Sequence, residues 1–174
     1  MVARCLSLDI AMSVTGWAFQ FSHSREPFEY GLIKTNPKLS VSERLAFFRV
    51  ELIKLLDRFN PTHIVIEDVY TGINPKVAGA LFRFAGVAIE CCQSIAKVEP
   101  YIIHTNTVKS FFKAKKKEEI FDIVVDIFGW EDEGLSFKKF NDVADALAML
   151  LCYCQMLKLE VFRIDKEYGY LYEV

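Results

Sequence analysis

Apolar and polar positions change rhythm along the chain, and each change marks an element. Near the start, "ARCLSLDI", "VTGWAFQF" and "FEYGLIKT" are short runs rich in β-branched and aromatic residues, separated by polar or proline-containing stretches. Runs of that kind predict three strands in an antiparallel meander. Across "SVSERLAFFRVELIKLLDRF" the spacing lengthens to that of a helix, with Leu45, Phe48, Leu52, Leu55 and Leu56 at helical intervals. Ser40 and Glu43 suit a capping box at its start, and it ends before Pro61. "HIVIED" is continuously apolar until Glu67 and Asp68, the signature of a central parallel strand.

A polar loop, "VYTGINPK", leads into "VAGALFRFAGVAIECCQSIA", a long helix of small residues. Gly79 and Gly86 cost helix propensity there, so close packing on the sheet is the expected reason for them. "YIIHT" predicts another strand, "NTVKSFFK" a short helix or turn capped by Asn106, "KKEEIFDIVVDIFG" a helix, and "WEDEGLSFKKF" a loop. The last long helix opens with "NDVADALAMLL". In it Val143, Leu147, Leu150, Leu151 and Cys154 form one stripe, and Ala148, Met149 and Cys152 make much of the remaining circumference apolar, which places the helix in the interior. The order β-β-β-α-β-α-β-α-α predicts one α/β domain over 1–174, a five-stranded mixed sheet (antiparallel meander, then parallel strands) flanked by helices.

Asp142 and Asp145 stand at the beginning of that apolar helix, three apart and on one face, where two carboxylates repel and lack water. Asp9 ends the first strand and Glu67 the fourth. In open α/β sheets chemistry gathers outside the carboxyl ends of the strands. With strands one and four adjacent and the helix packed on them by its first turn, four carboxylates share one small volume. Like charges so close raise one another's pKa or require a cation, and hard oxygen ligands select magnesium or manganese. Two such ions, about 3.5–4 Å apart, suit an in-line phosphodiester displacement. Each piece has an ordinary reading too: Asp142 and Asp145 as a helix cap with an acidic partner, Asp9 or Glu67 as a solvent-facing strand end. The four together favour the metal.

Composition narrows the partners. With 174 residues, 52% hydrophobic, the chain can bury a sizeable core. A formal charge of −2 excludes a uniformly basic coat, so a polyanion must meet a local patch. "KSFFKAKKKEE" supplies one: Lys109, Lys113, Lys115, Lys116 and Lys117 fall between the last strand and the carboxylate helix, where they would neutralise DNA phosphates beside the metals, although such a run is also an ordinary solvated helix start. Five cysteines form neither a disulfide framework nor a metal knuckle and are expected to be reduced core residues. His23, His63 and His104 are expected in core or surface roles. No leader and no run of about 18 apolar residues is evident, so a cytoplasmic protein without membrane contact is expected.

In five blocks the chain resembles the RuvC-type Holliday junction resolvases of the ribonuclease H-like superfamily. "LSLDIAMSVTGWAF" is similar to that family's first strand, aspartate and V-T-G-aromatic second strand, and "IVIEDVY" to its I-E-x-V-aromatic block. "FRFAGVAIECC", "TVKSFFK" and "DVADALAML" resemble its A-R-G-V-A-I helix, its V-K segment and its D-A-A-D-A-L-A helix, and the likeness runs in order from about Arg4 to Gln155. The resemblance implies that Asp9, Glu67, Asp142 and Asp145 are catalytic ligands of two Mg²⁺, with Mn²⁺ able to substitute. It implies that Lys109 acts near the scissile phosphate, with a second basic position among Lys115, Lys116 and Lys117. It matches Tyr70 to an aromatic residue that intrudes at the junction centre, where it would stack on a base; an ordinary loop aromatic is the alternative. It implies a homodimer that nicks branched DNA, four-way junctions above all.

Three features depart from the family. Ala11 stands where a glycine is usual, Asp68 where a neutral residue is common, and the tail over 159–174 lies outside the likeness, with Tyr168, Tyr170 and Tyr172 alternating like a strand or a contact surface. The compact length and these departures suggest a phage or viral branch, which would act in the host cytoplasm. Ala11 and Asp68 also suggest a rival reading, a junction-binding module without catalysis. A sugar-kinase or actin-like ATPase would want a glycine-rich phosphate loop and a duplicated half; "DIAMSVTG" is poor in glycine and the chain too short.

Overall fold

Period-two alternation along the strands decides which side of the sheet each residue serves. In the computed structural model, which describes residues 2–22, 28–69, 75–130, 136–159, 162–164 and 171–173, the first strand β1 (Arg4–Asp9) is buried almost throughout. It pairs antiparallel with β2 (Val14–Phe21), which pairs antiparallel with β3 (Glu29–Lys34). On its other side β1 pairs in parallel with β4 (His63–Glu67), and β4 with β5 (Tyr101–Ile103), giving the order β3-β2-β1-β4-β5. This is the five-stranded mixed sheet the pattern predicts.

Leu6 and Leu8 of β1, Trp17 and Phe19 of β2, and Ile64 and Ile66 of β4 face one way. There they pack on Phe48, Leu52 and Leu56 of α1 (Val41–Phe59) and Phe84 and Ala88 of α2 (Pro75–Cys91). Helix α1 has the expected capping box: the Ser40 side chain accepts from the Glu43 amide, and Glu43 Oε2 accepts from the Ser40 amide at 2.9 Å. A π-helical turn, Cys92–Ala96, prolongs α2.

Cys5, Ala18 and Val65 face the other way, into a second core with α4 (Lys117–Phe128) and α5 (Phe137–Met156). Between β5 and α4 lies the short helix α3 (Thr105–Phe111). The tail forms a separate two-stranded antiparallel sheet, β6 (Phe162–Ile164) with β7 (Leu171–Glu173); Tyr172 lies in β7, and Tyr168 and Tyr170 lie outside the described residues. All five cysteines are buried and free, as expected.

Four expectations need correction. Helix α5 begins at Phe137 after the N-cap Ser136, so Asp142 and Asp145 lie inside it rather than in its first turn, and neither caps it. The segment read as loop up to Phe140 is helical in its last four residues because Phe137 and Phe140 pack against the second core. The N-cap of α3 is His104, with Asn106 inside the helix. Gly79 and Gly86 are not packed on the sheet: a Cβ on either would meet nothing within 4 Å, so they lie on the open face of α2. The segment Val77–Ala96 is long and apolar enough on average to cross a membrane by length and composition, at mean hydropathy 1.2, although Arg83 and Glu90 interrupt its apolar residues. Here its Phe84, Ala88, Cys91 and Cys92 are spent on the sheet.

Candidate active site

Asp9 is the last residue of β1 and Glu67 the last of β4. The parallel register pairs Ser7 with Val65 and Leu8 with Ile66, and one step further brings the two carboxylates side by side. Both have the parity of Cys5, Ser7 and Val65, so both stand on the side of the sheet that α5 covers.

How near α5 comes is set by β2. Gly16 is the cross-strand partner of Asp9, and a Cβ placed on it would lie 1.9 Å from the Asp142 carbonyl oxygen. Only a residue without a side chain lets the helix backbone rest there. The neighbouring turn is tied down as well, since Ser7 Oγ donates to the Ala146 carbonyl at 2.6 Å. Ala144, Ala146 and Ala148 are fully or almost fully buried along the contact. Small residues therefore seat Asp142 and Asp145 over the ends of β1 and β4.

Other side chains orient the group. Thr105 Oγ1, at the start of α3, donates to Glu67 Oε1 at 2.7 Å. Lys117, the first residue of α4, donates from Nζ to Asp145 Oδ2 at 2.7 Å. Arg44 of α1, itself buried, donates to the Met12 carbonyl, to Ser13 Oγ at 3.1 Å and to Thr35 Oγ1 at 3.0 Å, and so holds the turn that follows Asp9.

The electrostatics are those of too many acids for the water available. Burial raises the Asp9 pKa well above the usual carboxylate range; the charges of Glu67 and Asp145 and a hydrogen bond with Glu67 add to the effect, while Lys117 opposes it. Burial also raises Asp145 against the pull of Lys117, and raises Asp142 against Lys117 and Lys34. For Lys117 burial alone would lower the pKa, but Asp145, Asp9 and Glu67 outweigh it and hold the ammonium above its ordinary range. Lys117 thus neutralises part of a four-carboxylate cluster, with Lys34 acting on Asp142 alone.

All four acids line one cleft of about 880 Å³, together with Lys109, Lys117, Thr105, Asn141 and the pair Asp68 and His104. Hard, partly desolvated oxygens around an open cleft fit a divalent cation in their chemistry. Among the described residues no three acidic, histidine or cysteine side chains are already closed into a metal cage. The Lys117 ammonium stands among them instead.

Of the predicted basic residues, Lys109 and Lys117 reach the cleft, whereas Lys113, Lys115 and Lys116 are exposed on the α3–α4 connection outside its lining. Tyr70 lies outside the described residues, as does His23. His63 is local, 2.9 Å from Thr62 Oγ1. His104 is exposed, a surface position as expected, with its Nδ1 2.9 Å from Asp68 Oδ2 on the cleft rim. Nothing in the sequence pattern singles out Gly16, Ser7, Lys34 or Arg44, which the fold brings to the site. For Thr105 a signal existed, since it follows the end of a third parallel strand. Ala11 has no positive φ, so a glycine is not needed there, and its amide and carbonyl both lie within 3.4 Å of Thr15 Oγ1.

Residues 5–153 match the family described as "Crossover junction endodeoxyribonuclease RuvC". The chain belongs to that family. Crossover junction endodeoxyribonuclease RuvC of a Synechocystis strain is 29% identical over 153 residues, covering 85% of this chain and 89% of the relative. The RuvC of a Wolbachia strain is also 29% identical, over 87% of this chain and 94% of its own. These bacterial relatives lend nothing to the viral origin suggested by length and divergence. Among solved structures, Thermus thermophilus RuvC in complex with a Holliday junction substrate superposes with TM-score 0.71 at 20% identity, covering 90% of this chain and 98% of that one. The yeast mitochondrial Holliday junction resolvase Ydc2 superposes with TM-score 0.59 at 16% identity, over 87% of this chain and 77% of its own. Both likenesses establish the fold, which is that of RuvC.

Proposed function

We propose that this RuvC-family chain is a magnesium-dependent endonuclease that nicks four-way junctions and other branched DNA, with manganese able to replace magnesium. The observation that carries the reading is the convergence of Asp9, Glu67, Asp142 and Asp145 on one cleft, with the backbone of Asp142 seated on Gly16, the cross-strand partner of Asp9, too closely for any larger residue. Those four side chains would hold two divalent ions. Bound there, the ions supply Lewis acidity and lower the pKa of a coordinated water.

The chain's own residues do the rest. Thr105 fixes the Glu67 carboxylate, and Gly16 and Ser7 fix the turns of α5 that carry Asp142 and Asp145. Lys109, half-buried on α3 and lining the cleft, would bind a phosphate oxygen and hold the strand in line. Lys113, Lys115 and Lys116, exposed beside the mouth, would add backbone contacts, whose contribution falls with salt. Tyr70 is proposed as the stacking residue at the branch point on family likeness alone.

The departures that favoured an inactive module carry little weight. Ala11 adopts a backbone open to any residue, and Asp68 is paired with His104 instead of standing bare before an incoming phosphate. A labelled four-way junction, a flap and a linear duplex, each with and without Mg²⁺, test the proposal. Metal-dependent nicking of the branched substrates supports it; junction binding without nicking supports the module.

A junction presents paired equivalent strands, so two active sites related by a two-fold axis suit it. The open face of α2 is the surface proposed for a second copy: Phe82 is 49% exposed between Gly79 and Gly86, with the exposed Arg83 beside it, while Glu90 further along already faces Arg49 at 3.8 Å. Phe82→Glu is expected to turn a dimer into a monomer in light scattering coupled to size exclusion. An unchanged mass would move the interface elsewhere.

A further inference from the structure

Lys117 is poorly placed for its own helix. It is the first residue of α4, at the end where the helix dipole disfavours a cation, and the acids Glu118 and Glu119 already occupy the rest of that turn. Its neighbours Lys115 and Lys116 are exposed. Lys117 instead turns inward to Asp145, with Asp9 and Glu67 close enough to hold its charge. What keeps it there is the uncompensated charge of the cleft.

That position is the one a divalent ion needs. An Asp145 oxygen at 2.7 Å from an ammonium is committed to it, and a doubly charged ion among the same oxygens would repel that ammonium strongly. The lysine has a way out: its side chain is 41% exposed, it lines the open cleft, and its four-carbon stem is flexible. We infer that Lys117 is a resident counter-cation that divalent metal must displace, so that loading the metal releases the ammonium into the cleft where a DNA phosphate would lie. The inference rests on the metal-dependent reading proposed above. The other charges facing this group are Asp142 on α5, Lys109 on α3 and Lys34 on β3, and none of them takes its place against Asp145.

The test is Mn²⁺ binding by the full chain without DNA, at pH 8, read by the electron paramagnetic resonance of free Mn²⁺. Lys117→Met removes the competitor and is expected to tighten binding by ~10-fold or more, whereas Lys117→Arg keeps the charge and stays within about threefold of the unaltered chain. Without metal the methionine variant should melt below the unaltered chain, and Mn²⁺ should raise its Tm by more. Equal or weaker Mn²⁺ binding by Lys117→Met overturns the inference while leaving the metal reading intact. No Mn²⁺ binding by either protein overturns the metal reading and the inference together. If Lys117→Met fails to fold, the unaltered chain decides: reductive methylation of Lys117, read by peptide mass, must rise on adding saturating Mn²⁺, and unchanged or reduced labelling overturns the inference.

Discussion

Toward α1 and α2 the sheet presents Leu6, Leu8, Trp17, Phe19, Ile64 and Ile66, and the helices answer with Phe48, Leu52, Leu56 and Phe84. Toward α5 it presents Cys5, Ser7, Asp9, Gly16 and Ala18, answered near the carboxylates by Ala144, Ala146 and Ala148, while Phe28, Phe121, Phe128 and Trp130 supply the bulk of that core elsewhere. The first face is thick and aromatic: Phe19 stacks on Phe59 at 4.2 Å, and Phe48 meets Phe84 at 5.2 Å. Bulky side chains there bury much surface. Where α5 crosses Gly16 on the second face, a helix backbone touches a strand backbone, and there is no slack. One face supplies stability and the other supplies positional accuracy for charged groups at its end.

Substitutions on the two faces should therefore fail differently. Between the two faces, the larger effect on activity is expected from Gly16→Ala, which drives a Cβ into the Asp142 carbonyl. Shifting α5 by about 1 Å costs on the order of 10²-fold in kcat, with about 1–3 kcal/mol of overpacking. Nicking assays and denaturant melts of one preparation would show both. Phe48→Ala should do the reverse: about 3–5 kcal/mol of stability lost to a cavity, with the rate per folded molecule within about threefold of the unaltered chain. If Gly16→Ala leaves activity untouched, or Phe48→Ala abolishes it in the folded protein, the division between the faces is wrong.

A gentler probe is pH. Asp9, Asp142 and Asp145 have folded pKa values raised above their unfolded ones, so the folded state binds more protons. The metal-free protein then loses stability as pH rises from the unfolded carboxylate value near 3.8 through the raised folded values, and regains it on acidification within that window. Divalent metal should flatten the slope by supplying the missing charge. Tm measured from pH 5 to 8, with and without Mg²⁺, checks the sign.

Much of this was legible in the chain because strands advertise themselves locally. Asp9 and Glu67 could be placed from period two and the ends of apolar runs, and Asp142 and Asp145 from a spacing of three on an apolar helix. What the sequence hid were relations across space. Gly16 reads as one glycine in a strand until the Asp142 carbonyl is seen beneath it, while Gly79 and Gly86, which look like packing glycines, meet nothing. Lys115, Lys116 and Lys117 are equivalent in a run of lysines, and only the register at the start of α4 turns the last of them inward. The start of α5 at Phe137 is not visible in the sequence, where Lys138 and Lys139 interrupt the apolar spacing of Phe137 and Phe140.

The central claim is that these carboxylates form a catalytic metal site, and Asp145→Asn tests it most directly, since it removes one charge and keeps the shape. On a labelled four-way junction with Mg²⁺, the unaltered protein should nick symmetrically placed strands, while Asp145→Asn nicks at least ~10³-fold more slowly and still shifts the junction in a gel. Nicking by Asp145→Asn at the unaltered rate, or no metal-dependent nicking by the unaltered protein, would contradict the account.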